Sequence, residues 1–199
     1  MKNICVFCSS NLGSEPEYQR VAAELGSLLA AAGYTIIYGG ANVGLMRCMA
    51  EAAIAGGGDV IGIITNFLAG KHLTQSGLKQ LIIVETMQER KSKMAELSDA
   101  FIVLPGGFGT MEEMFEVLTA GQLGFHQKPV VIININDYYE HLRLLLNNMI
   151  DSRMLLEPHA NILQFANSPA DAIAKIAGYK AVVMDKWIDD IRRDNGQTV

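Results

Sequence analysis

Six short, continuous apolar runs recur along the chain: "KNICVFC", "YTIIYG", "DVIGIIT", "LIIVE", "AFIVLP" and "PVVIIN". Stretches with helical spacing lie between them. A strand that is apolar at every position has both faces buried, and such strands belong in a parallel sheet covered by helices on both sides. Helices are expected to begin near Glu15, Gly44, Met87, Thr110 and Tyr138. Right-handed crossovers then give an α/β fold, a single Rossmann-like, doubly wound parallel sheet sandwiched by helices. Three pairs have capping-box spacing: Ser14 with Glu17, Thr110 with Glu113, and Asp137 with Glu140. Ser168-Pro169 places a proline at a first helical position. The longest irregular piece runs from Thr65 to Gln80 and reads as a mobile loop near the strand ends. Residues 185–199 read as a short amphipathic helix with a frayed tail. There is no low-complexity linker and no internal repeat, so the 199 residues read as one domain.

Composition narrows the function. Half the residues are hydrophobic and the net charge is −5, which argues against a dedicated nucleic-acid surface or a surface for anionic membranes. No stretch could span a bilayer, and the apolar run after Lys2 is too short and interrupted for a secretory signal. The three cysteines suit a reducing compartment, and the chain reads as cytoplasmic. Cys5 and Cys8 form a C-x-x-C, but within a strand, where positions three apart point to opposite faces. They read as core residues, with no metal site.

Two glycine-rich loops follow strands: "YGGANVGLM" after the second and "LPGGFGTMEE" after the fifth. Neither has the dinucleotide fingerprint nor the Lys-Ser/Thr ending of a P-loop. Both offer bare backbone at a helix start, where N–H groups converge on an anion. The second then opens its helix with Glu112 and Glu113, carboxylates that a phosphate should avoid. Arg90 and Lys91 in "QERKSKM" can neutralise the site, Arg90 by two parallel hydrogen bonds. A carboxylate close to a bound phosphate, but not on it, can accept bonds from sugar hydroxyls. It can also stabilise the charge that builds at an anomeric carbon when an N-glycosidic bond breaks. On this reading the glycines serve the phosphate and the glutamates the ribose.

"ERKSKM" and "SDAFIVLPGGFGTMEEMFEV", with "CVFCSSNLG", "YGGANVGLM" and "GQLGFHQKPVVIININDYY", resemble the LOG family, cytokinin riboside 5′-monophosphate phosphoribohydrolases often labelled lysine decarboxylases. The signature P-G-G-x-G-T-x-x-E is matched by Pro105, Gly106, Gly107, Phe108, Gly109, Thr110 and Glu113. The resemblance implies a Rossmann-like homodimer that hydrolyses a nucleoside 5′-monophosphate, AMP or its N6-prenylated forms, to free base and ribose 5-phosphate without a cofactor. Arg90 and Glu113 match the catalytic positions. Gly106, Lys91, the loop Gly107, Phe108, Gly109, Thr110, Met111 and Glu112, and Thr119 match substrate-binding positions. Gly40 and Gly44 match the second glycine loop, and Ser9 and Ser10 would lie near the ligand. The chain departs from the family at "KHLTQSGLKQ", which lacks an acid, at Arg47, and at Ala120, where a tryptophan is common. The loop and Ala120 bear on the base.

Two other readings remain open. A carrier resembling molybdenum-cofactor carriers would bind a nucleotide without chemistry, and a transferase would need phosphate or a second base. A pyridoxal enzyme would need a Schiff-base lysine with an acidic partner, and only Lys91 and Lys93 sit near the glycine loop.

Overall fold

A computed structural model describes residues 2–71 and 73–181. Along the chain run β1 (Asn3–Phe7), α1 (Pro16–Ala31), β2 (Thr35–Tyr38), α2 (Gly44–Ala55), β3 (Val60–Thr65), α3 (Asn66–Ala69), β4 (Gln80–Val84) and α4 (Met87–Leu97). They are followed by β5 (Ala100–Val103), α5 (Phe108–Gln122), β6 (Val130–Ile133), α6 (Glu140–Asp151), α7 (Glu157–Ala160), β7 (Leu163–Ala166) and α8 (Pro169–Gly178). The strands form one seven-stranded parallel sheet in the order β4-β3-β2-β1-β5-β6-β7. From β1 the chain winds outward through β2, β3 and β4, then returns to β5 on the other side of β1. The point of reversal, between β1 and β5, is where open α/β sheets leave a crevice at the strand ends.

Alternate residues of the central strands feed two cores, as the pleat requires. Ile4, Val6 and Cys8 pack beneath α1, α2 and α8, while Cys5 and Phe7 pack on the opposite side with Met94 of α4 and Met114 of α5. The two sulfurs of the C-x-x-C therefore sit in different cores, and no group of three metal-ligating side chains occurs among the described residues.

The six expected strands form, and β7 is a seventh. "LQFA" mixes polar with apolar residues because it lies at the sheet edge, so the continuous-run criterion misses it. Helix starts differ more. The helix expected at Thr110 begins at Phe108, with Gly107 as its N-cap, and the pairs expected to cap α1, α5 and α6 do not do so. Glu15 rather than Ser14 precedes α1. Asp137 and Asn136 take positive φ (55° and 49°) in a 3-10 turn before α6. The capping box that does form is Thr86 with Glu89, at the start of α4. The stretch from Thr65 to Gln80 is also less free than expected. Thr65 Oγ1 accepts from Leu68 N–H (3.4 Å) to start α3, and residues 73–75 lie against the first glycine loop. Asn42 N–H donates to Leu73 O (2.6 Å) and Gln75 N–H to Gly40 O (3.1 Å). The expected helix over 185–199 lies outside the described residues. No helix among the described residues is long and apolar enough to cross a membrane.

Candidate active site

The crevice at the reversal point gathers the loops after β1, β2 and β5. Ser9 N–H donates to Pro105 O (3.1 Å) and Leu45 N–H donates to Ser9 O (3.0 Å), so these loops are tied to one another by backbone bonds. Gly44 stands at φ 53° with its α-carbon facing the Ser10 carbonyl. A Cβ there would come 2.2 Å from the Ser10 backbone, so only glycine permits this approach.

Past β5 the chain turns through Pro105, Gly106 and Gly107 into α5. Phe108, Gly109 and Thr110 are its first three residues, whose N–H groups an α-helix leaves without intrahelical partners. A Cβ at Gly107 or Gly109 would meet nothing within 4 Å, so both bare faces look onto open space, and Phe108 is 98% exposed between them. Thr110 is buried at the third helical position. Its hydroxyl fills the space where Gly106 would carry a side chain, 2.1 Å from the ideal Cβ. Two tyrosines hold the turn from below: Tyr138 Oη donates to Gly106 O and Tyr139 Oη to Leu104 O, both at 2.8 Å. Neither tyrosine belongs to the glycine motif. Their signal is the Tyr-Tyr pair following the positive-φ turn at Asn136 and Asp137.

The charged residues fall into two groups. Arg90, near the start of α4, is buried: Nε donates to Ile63 O (3.0 Å) and Nη1 to Glu113 Oε1 (2.6 Å). Gly39 was also not anticipated, and it lets the guanidinium pass, since a Cβ there would stand 2.1 Å from Arg90 Nη2. Glu113 lies one turn into α5 with its side chain 11% exposed. Burial raises its carboxyl pKa above the usual glutamate range, and the Arg90 charge and hydrogen bond pull it back. A buried ion pair is weak evidence for stability, because desolvation offsets its attraction. Its position beside an open anion-binding helix start points to chemistry instead. Lys91 makes the second group: its ammonium pairs with Glu112 and with Glu116 Oε2 (2.8 Å), which raises its pKa. These two acids are thus engaged with Lys91 rather than simply solvated.

Ser9, Ser10, Gly44 and the Pro105 turn are thus joined by close backbone contacts, Arg90 and Glu113 meet beside the start of α5, and Lys91 pairs with Glu112 and Glu116. Gly40 is close by, with its carbonyl under the 73–75 segment. Thr119 shares a surface groove with Glu112 and Glu116, further along α5. It lies on the outer face of α5, and Phe115, Leu123 and Phe125 line the same groove. Met114 is core, Met111 packs at the edge of the same core, and Met46 Sδ lies 3.2 Å from the ideal Gly39 Cβ.

A parallel sheet reversing between β1 and β5, with an anion-ready helix start at that point, defines a Rossmann-like protein built to hold a ligand at its strand ends. The comparisons make this specific. The chain belongs to the LOG family, whose family model, described as "Possible lysine decarboxylase", matches residues 46–176. A protein of Oryza sativa subsp. japonica named probable cytokinin riboside 5′-monophosphate phosphoribohydrolase LOGL6 is 38% identical over 178 residues, covering 89% of this chain and 71% of that one. Cytokinin riboside 5′-monophosphate phosphoribohydrolase LOG1 of Arabidopsis thaliana is also 38% identical, covering 89% of this chain and 84% of its own. Among solved structures, a molybdenum cofactor binding protein of Rippkaea orientalis superposes with TM-score 0.67 at 25% identity, over 89% of this chain and 96% of that chain.

Proposed function

We propose that this protein hydrolyses the N-glycosidic bond of adenosine 5′-monophosphates, AMP and its N6-substituted forms, to free base and ribose 5-phosphate. The 5′-phosphate docks on the N–H groups of residues 107–110, and Arg90 supplies the positive charge beside it. Lys91, while paired with Glu112 and Glu116, adds a second positive charge nearby. Glu113 accepts hydrogen bonds from the ribose hydroxyls and faces the anomeric carbon. As the bond from C1′ to the base breaks, its electron pair leaves on the base, which takes up a proton. The oxocarbenium-like sugar is stabilised by the Glu113 carboxylate, and water adds its oxygen to C1′ and releases a proton.

The observation that carries this reading is the 2.6 Å contact between Arg90 and Glu113 one turn inside an open glycine-rich helix start. An acid held this way is paired with a cation without occupying the phosphate position. The relatives' names agree with this chemistry. The decarboxylase description fits less well. Lys91 is committed to two carboxylates and Lys93 to Glu96 (3.0 Å), so neither is poised as a Schiff-base amine. We further propose that the chain folds as one domain and works in the cytoplasm as a homodimer joined through the outer face of α5. There Leu123 (48%) and Phe125 (80%) are exposed apolar residues beside Thr119.

The test is a substrate panel of AMP, N6-isopentenyl-AMP, GMP and CMP, scored by release of free base. The hydrolase reading expects free adenine or N6-substituted adenine with ribose 5-phosphate, in buffer without inorganic phosphate. The cofactor-binding neighbour makes a carrier the competing reading. It expects a raised melting temperature with the nucleotide left whole.

A further inference from the structure

Tyr18 lies far from the glycine motif in the chain, yet a row of tyrosine rings runs edge to face from it toward the turn that opens α5. Its ring meets the Tyr138 ring with centroids 5.9 Å apart at 78°, and Tyr138 meets Tyr139 at 4.9 Å and 86°. Rings prefer this arrangement, in which the positive edge of one lies on the negative face of the next. The far end of the row is attached to the turn itself, because Tyr138 Oη donates to Gly106 O and Tyr139 Oη to Leu104 O. β1, β5 and β6 are neighbours in the sheet, and Tyr18 follows β1 while Tyr138 follows β6. The contact therefore joins the segments on either side of the turn after β5.

The near end is anchored too. Tyr18 is the third residue of α1 and packs on the core beneath that helix. Gly13, at φ 80°, lies against its ring: a Cβ there would stand 2.5 Å from Tyr18 Cδ2, so both the backbone and the ring call for glycine. Tyr138 is 44% exposed and follows a turn with two positive-φ residues, so the neighbouring rings are what keep its hydroxyl on Gly106 O. That carbonyl matters because it shares one planar trans peptide with the Gly107 N–H, and the two point in opposite directions. Between two glycines such a peptide is otherwise free to rotate. A hydroxyl that holds the carbonyl thereby aims the N–H.

We infer that Tyr18 is a positioning residue for the anion site, and that it acts through the Tyr138 ring to fix the direction of the Gly107 N–H, the first of the donors on which the phosphate docks. The inference rests on the phosphate docking proposed above, and not on the bond cleavage that follows it.

The experiment measures the Kd of ribose 5-phosphate by calorimetry, with kcat and KM for AMP, in the wild type, Tyr18→Leu, Tyr18→Phe, Tyr138→Phe and the double variant Tyr18→Leu/Tyr138→Phe. Melting temperatures are recorded for each, and Tyr18→Met replaces Tyr18→Leu if the latter does not fold. An edge-to-face pair is worth a factor of about two to ten in an equilibrium constant. Tyr18→Leu should therefore weaken ribose 5-phosphate by about that factor, and raise KM for AMP in step while leaving kcat unchanged. Tyr18→Phe keeps the ring and should restore the wild-type Kd. Because the path runs through the Tyr138 hydroxyl, Tyr18→Leu should change little in the Tyr138→Phe background. A merely structural role lowers the melting temperature of Tyr18→Leu and leaves Kd where it was, which overturns the inference. Equal effects of Tyr18→Leu in the two backgrounds overturn it as well. If the wild type binds AMP without cleaving it, the hydrolase reading fails, and the same comparison of Kd values still decides the role of Tyr18. A wild type that binds neither ligand overturns both.

Discussion

Gly39→Ala tests the route by which Arg90 reaches Glu113. Gly39 does not take a positive φ, so alanine is compatible with the backbone. The added methyl would nevertheless stand 2.1 Å from Arg90 Nη2 and 3.2 Å from Met46 Sδ. Ordinary contact needs about 3.5 Å, so the guanidinium must move by roughly 1 Å or more. It is pinned at two other points, Nε on Ile63 O at 3.0 Å and Nη1 on Glu113 at 2.6 Å, so any movement breaks or stretches these bonds. A displacement of about 1 Å in a positioned catalytic group costs on the order of a hundredfold in rate. Overpacking costs about 1–3 kcal/mol of stability, which lowers the melting temperature by several degrees in a chain of this size. The assay is chromatographic release of adenine from AMP, with circular dichroism and thermal melting as controls on the fold. Folded Gly39→Ala with wild-type kcat/KM would show that Arg90 need not sit where it does.

Further outcomes follow from the same geometry. Tyr138→Phe removes the hydroxyl that donates to Gly106 O, and should raise KM for AMP several-fold at a stability cost of about 1 kcal/mol, read from initial rates and a urea melt. Thr86→Ala deletes the side-chain half of the box that starts the Arg90 helix, and should cost about 0.5–2 kcal/mol in denaturant unfolding. Because burial raises the Glu113 pKa and activity needs the carboxylate, kcat/KM should fall as pH drops through a value above the usual glutamate range. Replacing Arg90 by methionine removes the charge that holds this pKa down. In whatever activity remains, the acid limb should move to higher pH.

The fold was legible because the central strands are apolar at every position, and β1, β2, β5 and β6 are buried along almost their whole length. β7 escaped because an edge strand need not be apolar throughout. Capping-box spacing misled at Thr110 because Gly107 already serves as N-cap, and the threonine hydroxyl is turned against Gly106 instead. At the site, the motif indicated which residue types to expect around a phosphate, and Arg90, Glu113 and the glycine turn do share one crevice. What the motif could not show is reach. That Arg90 passes beneath Gly39, that Ile63 O holds it, and that Tyr138 and Tyr139 brace the turn are all contacts between segments distant in the chain.

The central claim is spatial, and a structure of Glu113→Gln soaked with AMP addresses it most directly. The nucleotide should be intact, with its phosphate on the amides at the start of α5, its ribose hydroxyls against residue 113, and the Arg90 guanidinium beside the phosphate. AMP seated away from the crevice between β1 and β5, or residue 113 turned from the sugar, would contradict it.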